Sequence, residues 1–350
     1  MTQTNSDISN TNACALVVTL GLPHERPWWW KDLETNGQIA HVGYERLNFR
    51  NKLSQQISLI ETPFFMLKVL VQLLKWRGRH EYVFSFECDL VGLSICFWQT
   101  ILNMSRPKHV ILHFIMREKN SSLASIAKYR FLRFVFFSVW RVFVSTRHEI
   151  NYYKDAFGWA KEKTVFLPLF TDPELLIREP RESPENYGIA AGRTFRDYDT
   201  LVKAVEGTTT KIVIVGGEGT VERYGKHPNI RALENIPSAE LDELISLANW
   251  VAVPLHMREI SIGQSVILQA MALGKPVIAS EVPGTSDYIE SGVDGLLVPP
   301  YDHLELRSAI ASLESIELRQ RIGQAAREKI AQNHLPHHFT AQLRSYISTT

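Results

Sequence analysis

Short apolar runs alternate along the chain with longer stretches whose apolar positions recur every three to four residues. Cys14 to Leu20 (CALVVTL) reads as a buried strand that runs into a turn at Gly21. From Pro63 to Trp76 the apolar spacing predicts a helix, closed by the cations and glycine of Arg77-Gly78-Arg79. Tyr82 to Phe86 predicts a second strand, Leu90 to Leu102 a helix, and Val110 to Phe114 a third strand with His113 near its end. Strand, helix, strand, helix, strand is the signature of a parallel α/β sheet. Lys128 to Trp140 (KYRFLRFVFFSVW) carries dense aromatics interleaved with cations and precedes the strand Val142 to Val144. Two readings of it stand: a core helix, or an amphipathic helix resting its aromatic, basic face on an anionic membrane surface. It is too short and too charged to span a bilayer.

Residues 171–186 (TDPELLIREPRESPEN) are polar, with three prolines, and read as a linker. The pattern then restarts. Strands are predicted at Gly188–Ala191, Lys211–Val215, Trp250–Val253, Pro276–Ala279 and Gly295–Val298, with helices at Tyr198–Val205, Ala239–Ala248 and Ser265–Leu273. Several of these strands run into glycine-rich loops. The pattern therefore predicts two doubly wound, Rossmann-like lobes with parallel sheets, and ligands of such sheets bind outside the C-terminal strand edges.

Length and composition fit this picture. A chain of 350 residues suggests two domains, and 45% hydrophobic with 21% charged residues excludes collagen, long disorder and a polytopic membrane protein. A net charge of +1 argues against a nucleic-acid partner. Residues 1–180 hold 22 Lys+Arg against 16 Asp+Glu, and residues 181–350 hold 16 against 21, so a basic front half faces an acidic back half. Cys14, Cys88 and Cys96 have neither metal spacing nor a CxxC, which points to cytoplasmic thiols. Met1 to Asn12 lacks the pattern of a secretory signal and reads as a flexible tail. Gly21 to His24 reads as a loop, and Trp28, Trp29 and Trp30 after it suit either packing under that loop or a sugar or membrane contact.

Three loops of the second half suit a diphosphate. In Ala191-Gly192-Arg193-Thr194-Phe195-Arg196 a glycine frees the strand end, and two guanidinium forks follow, matched to phosphate oxygens. Val215-Gly216-Gly217-Glu218-Gly219 is glycine-rich but lacks GxGxxG and the Lys-Ser/Thr of a P-loop, so a plain tight turn is the simpler reading. Arg258 to Ser265 (REISIGQS) precedes an apolar helix. Ser261 and Ser265 are candidate caps, and the free N–H groups at the helix start favour an anion. Asp197-Tyr198-Asp199, although DxD-like, sits at a helix start and reads as capping rather than metal binding.

Gln264 to Ser280 (QSVILQAMALGKPVIAS), Pro283-Gly284 and Gly292 to Asp302 (GVDGLLVPPYD) together resemble the C-terminal signature of glycosyltransferase family 4. Gly192-Arg193, Ile212 to Gly219, Ser145 to Gly158 and Val165 to Pro168 are similar to further stretches of it. The resemblance implies a GT-B fold, two such lobes facing a central cleft, and a nucleotide-sugar donor (a UDP- or GDP-sugar) as substrate. After the tail at 1–12, it implies an acceptor-binding lobe at 13–175, a donor-binding lobe at 176–335, and a helix at 336–350 returning to the first lobe. Arg193 matches the family's diphosphate arginine, and Arg196 stands in for its nearby lysine. Gly263, Gln264 and Ser265 would offer backbone amides to the same diphosphate. The family's Glu, seven residues, Glu motif is altered here: its second position is Gln269, suited to the ribose hydroxyls, and its first is Ser261, with Glu259 two residues earlier. His113 resembles a histidine facing the donor sugar. Glu259, Ser261 and His113 are thus the candidate catalytic residues.

The implied reaction is transfer with retention, without metal or other cofactor, to a glycan, lipid-linked or polysaccharide acceptor. The basic, aromatic first lobe suggests a cytoplasmic protein in peripheral contact with the inner membrane face. A sugar phosphorylase or epimerase of related fold is one rival. A non-catalytic GT-B relic serving as a binding or scaffold subunit is another, favoured by Ser261.

Overall fold

The computed structural model describes residues 13–20, 39–47, 61–86 and 89–348. The readings made of Met1–Asn12, Gly21–His24, Trp28–Trp30 and Cys88 lie outside the described residues.

The first sheet is built from β1 (Ala13–Leu20), β2 (Ile39–Leu47), β3 (Tyr82–Phe86), β4 (Lys108–Leu112), β5 (Arg141–Val144) and β6 (Thr164–Phe166), in the spatial order β2-β1-β3-β4-β5-β6. From β1 to β5 the pairings are parallel. Helices α1 (Glu61–Trp76), α2 (Leu90–Ile101) and α3 (Leu123–Val135) are the crossovers into β3, β4 and β5, and α4 (Arg147–Phe157) follows β5. Local chemistry sets where they start. Asp89 caps α2 by accepting from the Gly92 N–H at 2.7 Å, and Ser122 caps α3 by accepting from the Ser125 N–H at 3.2 Å. Phe65, Val69, Leu73 and Trp76 form the buried stripe of α1 and pack with Val83, Val91 and Ile95.

The aromatic run around Lys128–Trp140 is partly core and partly surface. Tyr129, Leu132, Val135 and Phe136 are buried, and Phe136 joins a ring cluster with Phe114, Phe157 and Trp159. Phe131, Phe134 and Phe137 are exposed.

The second sheet contains β7 (Tyr187–Ala191), β8 (Lys211–Gly216), β9 (Ile230–Glu234), β10 (Trp250–Val253), β11 (Val277–Ser280) and β12 (Leu296–Val298), ordered β12-β11-β10-β7-β8-β9 and parallel throughout. Its helices are α5 (Tyr198–Val205), α6 (Thr220–Tyr224), α7 (Ser238–Leu247), α8 (Gln264–Ala272), α9 (His303–Ser312) and α10 (Ile316–Asn333), and α11 (Pro336–Ser348) closes the chain. The sequence pattern alone assigns none of β2, β6, β9, α4, α6, α9 and α10.

The chain groups into two compact units. One takes the chain up to Val144, then Tyr153–Val165 and the stretch from Thr340; the other takes Ser145–Tyr152 and Phe166–Phe339. The linker reading of 171–186 is corrected. Pro173–Leu176 is a short 3-10 helix, and the stretch after it is strapped to the second unit. Arg319, almost fully buried, grips Glu182 with two bonds of 3.0 Å, Arg327 donates to the Arg178 carbonyl at 2.8 Å, and Lys275 donates to the Arg181 carbonyl. Polar composition there reflects charged anchoring rather than freedom.

Candidate donor site in the second unit

The second sheet grows from β7 through β8 to β9, then continues from the other side of β7 with β10. The reversal lies between β7 and β10, the region at which doubly wound sheets bind ligands. The loops that follow those two strands bond to each other. The Asp197 N–H donates to the Pro254 carbonyl at 3.0 Å and the His256 N–H to the Phe195 carbonyl at 3.1 Å. The Arg258 guanidinium lies 4.6 Å from the Phe195 ring centroid. Beside them opens a cavity of about 490 Å³, lined by Gly192, Arg193, Arg196, the Gly217–Thr220 turn and His256.

Within this cavity the two arginines differ. Arg193 is exposed and makes no hydrogen bond or ion pair among the described residues. Arg196 folds back over its own loop, donating from Nε to the Ala191 carbonyl at 3.0 Å and from a terminal nitrogen to the Thr194 carbonyl at 2.9 Å. Desolvation pushes its pKa down, and it pairs with no carboxylate among the described residues. Arg196 therefore braces its own loop with part of its guanidinium fork while lining the cavity. Gly192 is required by that brace. Its φ is +133°, and a Cβ there would stand 2.4 Å from Arg196 Nε. Gly192→Ala is expected to cost about 1–3 kcal/mol for the strained backbone and the clash. Thermal unfolding measures it, and adding Arg196→Ala should recover the clash portion; a Gly192→Ala protein as stable as the parent would contradict this geometry.

Asp197 is a helix cap, as read: its carboxylate accepts from the Thr200 N–H at 3.2 Å and from the Thr200 hydroxyl at 2.6 Å. Asp199 holds Arg223 and accepts from the Tyr224 hydroxyl at 3.0 Å, and burial with that acid beside it pushes the Tyr224 pKa up to about 12. Among the described residues no group of three His, Cys, Asp or Glu is placed to hold a metal.

The loop before α8 departs from the expected caps. Gly263, at φ +89°, occupies the N-cap, and no side chain caps the helix. Ser265 is exposed. The start of α8 is thus left to its own N–H groups and dipole. Gln264 is buried with its Nε2 unpartnered. Ser261 turns the other way. Its N–H and hydroxyl donate to Glu149 Oε1 at 2.9 and 3.1 Å. Glu149 Oε2 accepts from the N–H groups of Ser145 and Thr146 and from the Thr146 hydroxyl, each at 3.2 Å. Burial pushes the Glu149 carboxyl pKa up, against the pull of these donors. Glu149 was missed in the sequence, although Thr146-Arg147-His148-Glu149 is a capping-box pattern that marks both the start of α4 and the acid.

Glu259 lies half exposed, with an oxygen 2.6 Å from His148 Nε2. Gln269 donates its amide to Asp242, which also faces Arg178 at 3.9 Å, so its Nε2 is engaged and it does not line the cavity. His113 belongs to the first unit. It is a half-buried imidazole at φ +52°, and desolvation pushes its pKa down to about 4, so it is neutral at pH 7. The second unit thus brings Arg193, Arg196 and Gly192 together at one cavity, with Gly263, Gln264 and Ser265 on the loop after the neighbouring strand.

Comparison with known proteins agrees with this architecture. The sequence pattern of the family described as Glycosyl transferases group 1 matches residues 177–329. An alpha-D-kanosaminyltransferase of Streptomyces kanamyceticus is 36% identical over 94 residues, 27% of this chain and 22% of that protein. The D-rhamnosyltransferase WbpZ of Pseudomonas aeruginosa is 30% identical over 148 residues, 40% of this chain and 39% of that protein. The chain thus spans well under half the length of these curated relatives. Among solved structures, a sucrose-phosphate synthase from Thermosynechococcus elongatus superposes with a TM-score of 0.72 at 17% identity, over 97% of this chain and 100% of that one. HepE from Anabaena, in complex with UDP, gives a TM-score of 0.69 at 17% identity, over 97% and 100%. The fold is GT-B, with two parallel-sheet lobes, and the group 1 glycosyltransferase pattern lies on the second of them.

Proposed function

We propose that this protein is a family 4 glycosyltransferase. It moves a sugar from a nucleoside-diphosphate sugar, a UDP- or GDP-sugar, to a glycan, lipid-linked or polysaccharide acceptor, with retention and without a metal, at the cytoplasmic face of a membrane. One observation carries the reading. The cavity between the loops after β7 and β8, flanked by His256 of the loop after β10, presents the guanidinium of Arg193, unpaired among the described residues, while the loop after β10 leads to a helix start that no side chain caps. Both favour the charge that grows on a departing diphosphate, and donors already in place need no reorganisation when that charge appears. Arg193 and the N–H groups of Gln264 and Ser265 are the diphosphate partners in this reading, with Arg196 holding the loop in shape. Glu259 is the carboxylate left for the sugar, since Ser261 is engaged by Glu149.

The experiment is a thermal-shift screen of the purified protein against UDP, GDP, ADP, TDP and CMP, with and without magnesium. One nucleoside diphosphate is expected to stabilise the protein in the absence of metal. Ligand at about a hundred times its dissociation constant adds about 2.7 kcal/mol. Arg193→Ala is expected to weaken that binding by about 1–3 kcal/mol, the range for a lost charged hydrogen bond. Unchanged affinity removes Arg193 from the site. Ser261, standing where the family places a glutamate, favours a second reading as a relic that binds without reacting. Nucleotide binding with neither donor hydrolysis nor transfer to any acceptor would select it.

A further inference from the structure

The apolar surface of the first unit is unevenly placed. Most of the exposed large hydrophobic side chains among the described residues fall between positions 64 and 137. Helix α1 has two stripes. Its buried stripe faces the sheet, and Phe64, Leu67, Val71 and Leu74 form a second row on the outside, at spacings of three, four and three. Helix α3 and the turn after it carry Phe131, Phe134 and Phe137 in the same manner. Phe64 is 74% exposed and Phe137 76%, well beyond what scattered surface residues need.

Topology puts the rows on one face. The crossovers β2–α1–β3, β3–α2–β4 and β4–α3–β5 all step in the same direction across the sheet, so right-handed connections lay the three helices side by side. Bonds between them agree: Trp98 Nε1 of α2 donates to the Met66 carbonyl of α1 at 2.7 Å, and the Thr100 hydroxyl donates to the Val135 carbonyl of α3 at 2.9 Å. Ile101 and Leu102, also exposed, end α2.

Charge on this part of the chain is mostly positive: residues 61–144 hold twelve Lys and Arg against five Asp and Glu. Residues 62–80 contain Lys68, Lys75, Arg77 and Arg79 and no acid. Residues 119–144 contain Lys119, Lys128, Arg130, Arg133 and Arg141 and no acid. Apolar side chains set among an excess of cations match a surface whose interior is hydrocarbon and whose rim is anionic. A second copy of this face is a poor occupant, because pairing it with itself would oppose cation to cation. None of the described helices is long and apolar enough to cross a membrane.

We propose that the outer face of α1, α2 and α3 docks on an anionic phospholipid bilayer, with the Phe64–Leu74 and Phe131–Phe137 rows entering the headgroup boundary and the flanking Lys and Arg meeting lipid phosphates. This names the surface for the membrane-side placement above and is independent of the transfer chemistry, so either can fail alone.

The test is sedimentation of the full chain with vesicles of phosphatidylcholine alone, and of phosphatidylcholine with phosphatidylglycerol. Binding is expected to the anionic vesicles, falling steeply when salt is raised from 0.15 M to 0.5 M, as screening of the headgroup field requires. Lys128→Glu and Arg130→Glu should each weaken it by about fivefold or more, from the contribution of one cation near an anionic surface. Phe131→Ser with Phe134→Ser should weaken it by at least tenfold, whereas Ile177→Ser, an exposed apolar change on the other unit, should not. All these side chains are exposed, so the variants should melt with the parent. Failure to bind either vesicle overturns the proposal, as does binding that ignores lipid charge and the two reversals. Self-association of the parent that is abolished by the double Phe variant would assign the face to a second copy and overturn it too.

Discussion

Replacing Glu149 by alanine is expected to lower the stability of the second unit by roughly 3–5 kcal/mol, since each buried donor left without a partner costs about 1–3 kcal/mol. The carboxylate is fully buried and accepts five hydrogen bonds. Three of the donors are backbone N–H groups, of Ser145, Thr146 and Ser261, that have no exposed position to turn to. At about 2–4 °C per kcal/mol for a unit of this size, the melting temperature should fall by about 10 °C. Glu149→Gln is the informative control. It keeps the shape but turns an NH₂ toward backbone N–H groups, so it should cost nearly as much at one of its two oxygens. A Glu149→Gln protein that melts with the parent would mean the carboxyl is protonated in the fold and donates a bond of its own. Ser261→Ala removes only the hydroxyl bond and should cost about 1 kcal/mol. The same contact links stability to the site: Glu149 holds the backbone of the loop that carries Glu259 and leads into α8. Weakened nucleotide binding should therefore accompany Glu149→Ala even at temperatures where the chain stays folded.

That contact also marks where sequence reading succeeds and where it stops. A strand such as Trp250–Val253 was legible because a fully buried parallel strand is a continuous apolar run bounded by turns. Strand β9 (IRALE) was not, because its residues after Ile230 are exposed or only partly buried and its sequence mixes charge with apolar positions. The stretch 171–186 read as a linker because proline and charge signal a loop, yet Arg319, Arg327 and Lys275, more than ninety residues away, turn that charge and its carbonyls into anchors. The donor-site loops were located by their glycines, and Asp197 was recognised as a cap. What the local pattern could not tell was the direction of a side chain. Arg193 and Arg196 look equivalent on paper, three residues apart, and differ because Arg196 folds over Gly192 while Arg193 does not. Ser261 looked like a cap or a lost glutamate, and it is instead the partner of an acid 112 residues earlier in the chain. Such long-range pairs leave no spacing in one sequence to detect.

In the first unit, acid is expected to destabilise the fold through His109. This imidazole is fully buried in β4, with Nε2 2.9 Å from the Ser85 hydroxyl and Nδ1 3.3 Å from the Cys96 thiol, and desolvation pushes its pKa down to about 3. Unfolded, it returns to an ordinary value near 6.5. Between those values the unfolded chain binds a proton that the folded chain refuses, so stability is intact above about pH 6.5 and is lost as pH falls. At 1.36 kcal/mol per unit the loss from this one group reaches about 2.7 kcal/mol by pH 4.5 and about 5 kcal/mol once pH falls below 3. His113, pushed down to about 4 by desolvation, acts in the same direction. Denaturant unfolding at pH 7 and pH 4.5 would measure the effect. His109→Gln, which titrates nowhere in this range, should be less stable than the parent at pH 7 and should close that gap by about 2.7 kcal/mol at pH 4.5. A gap that stays constant between the two pH values would show that His109 takes up its proton in the folded state as readily as in the unfolded one, and that the acid sensitivity of the unit lies elsewhere.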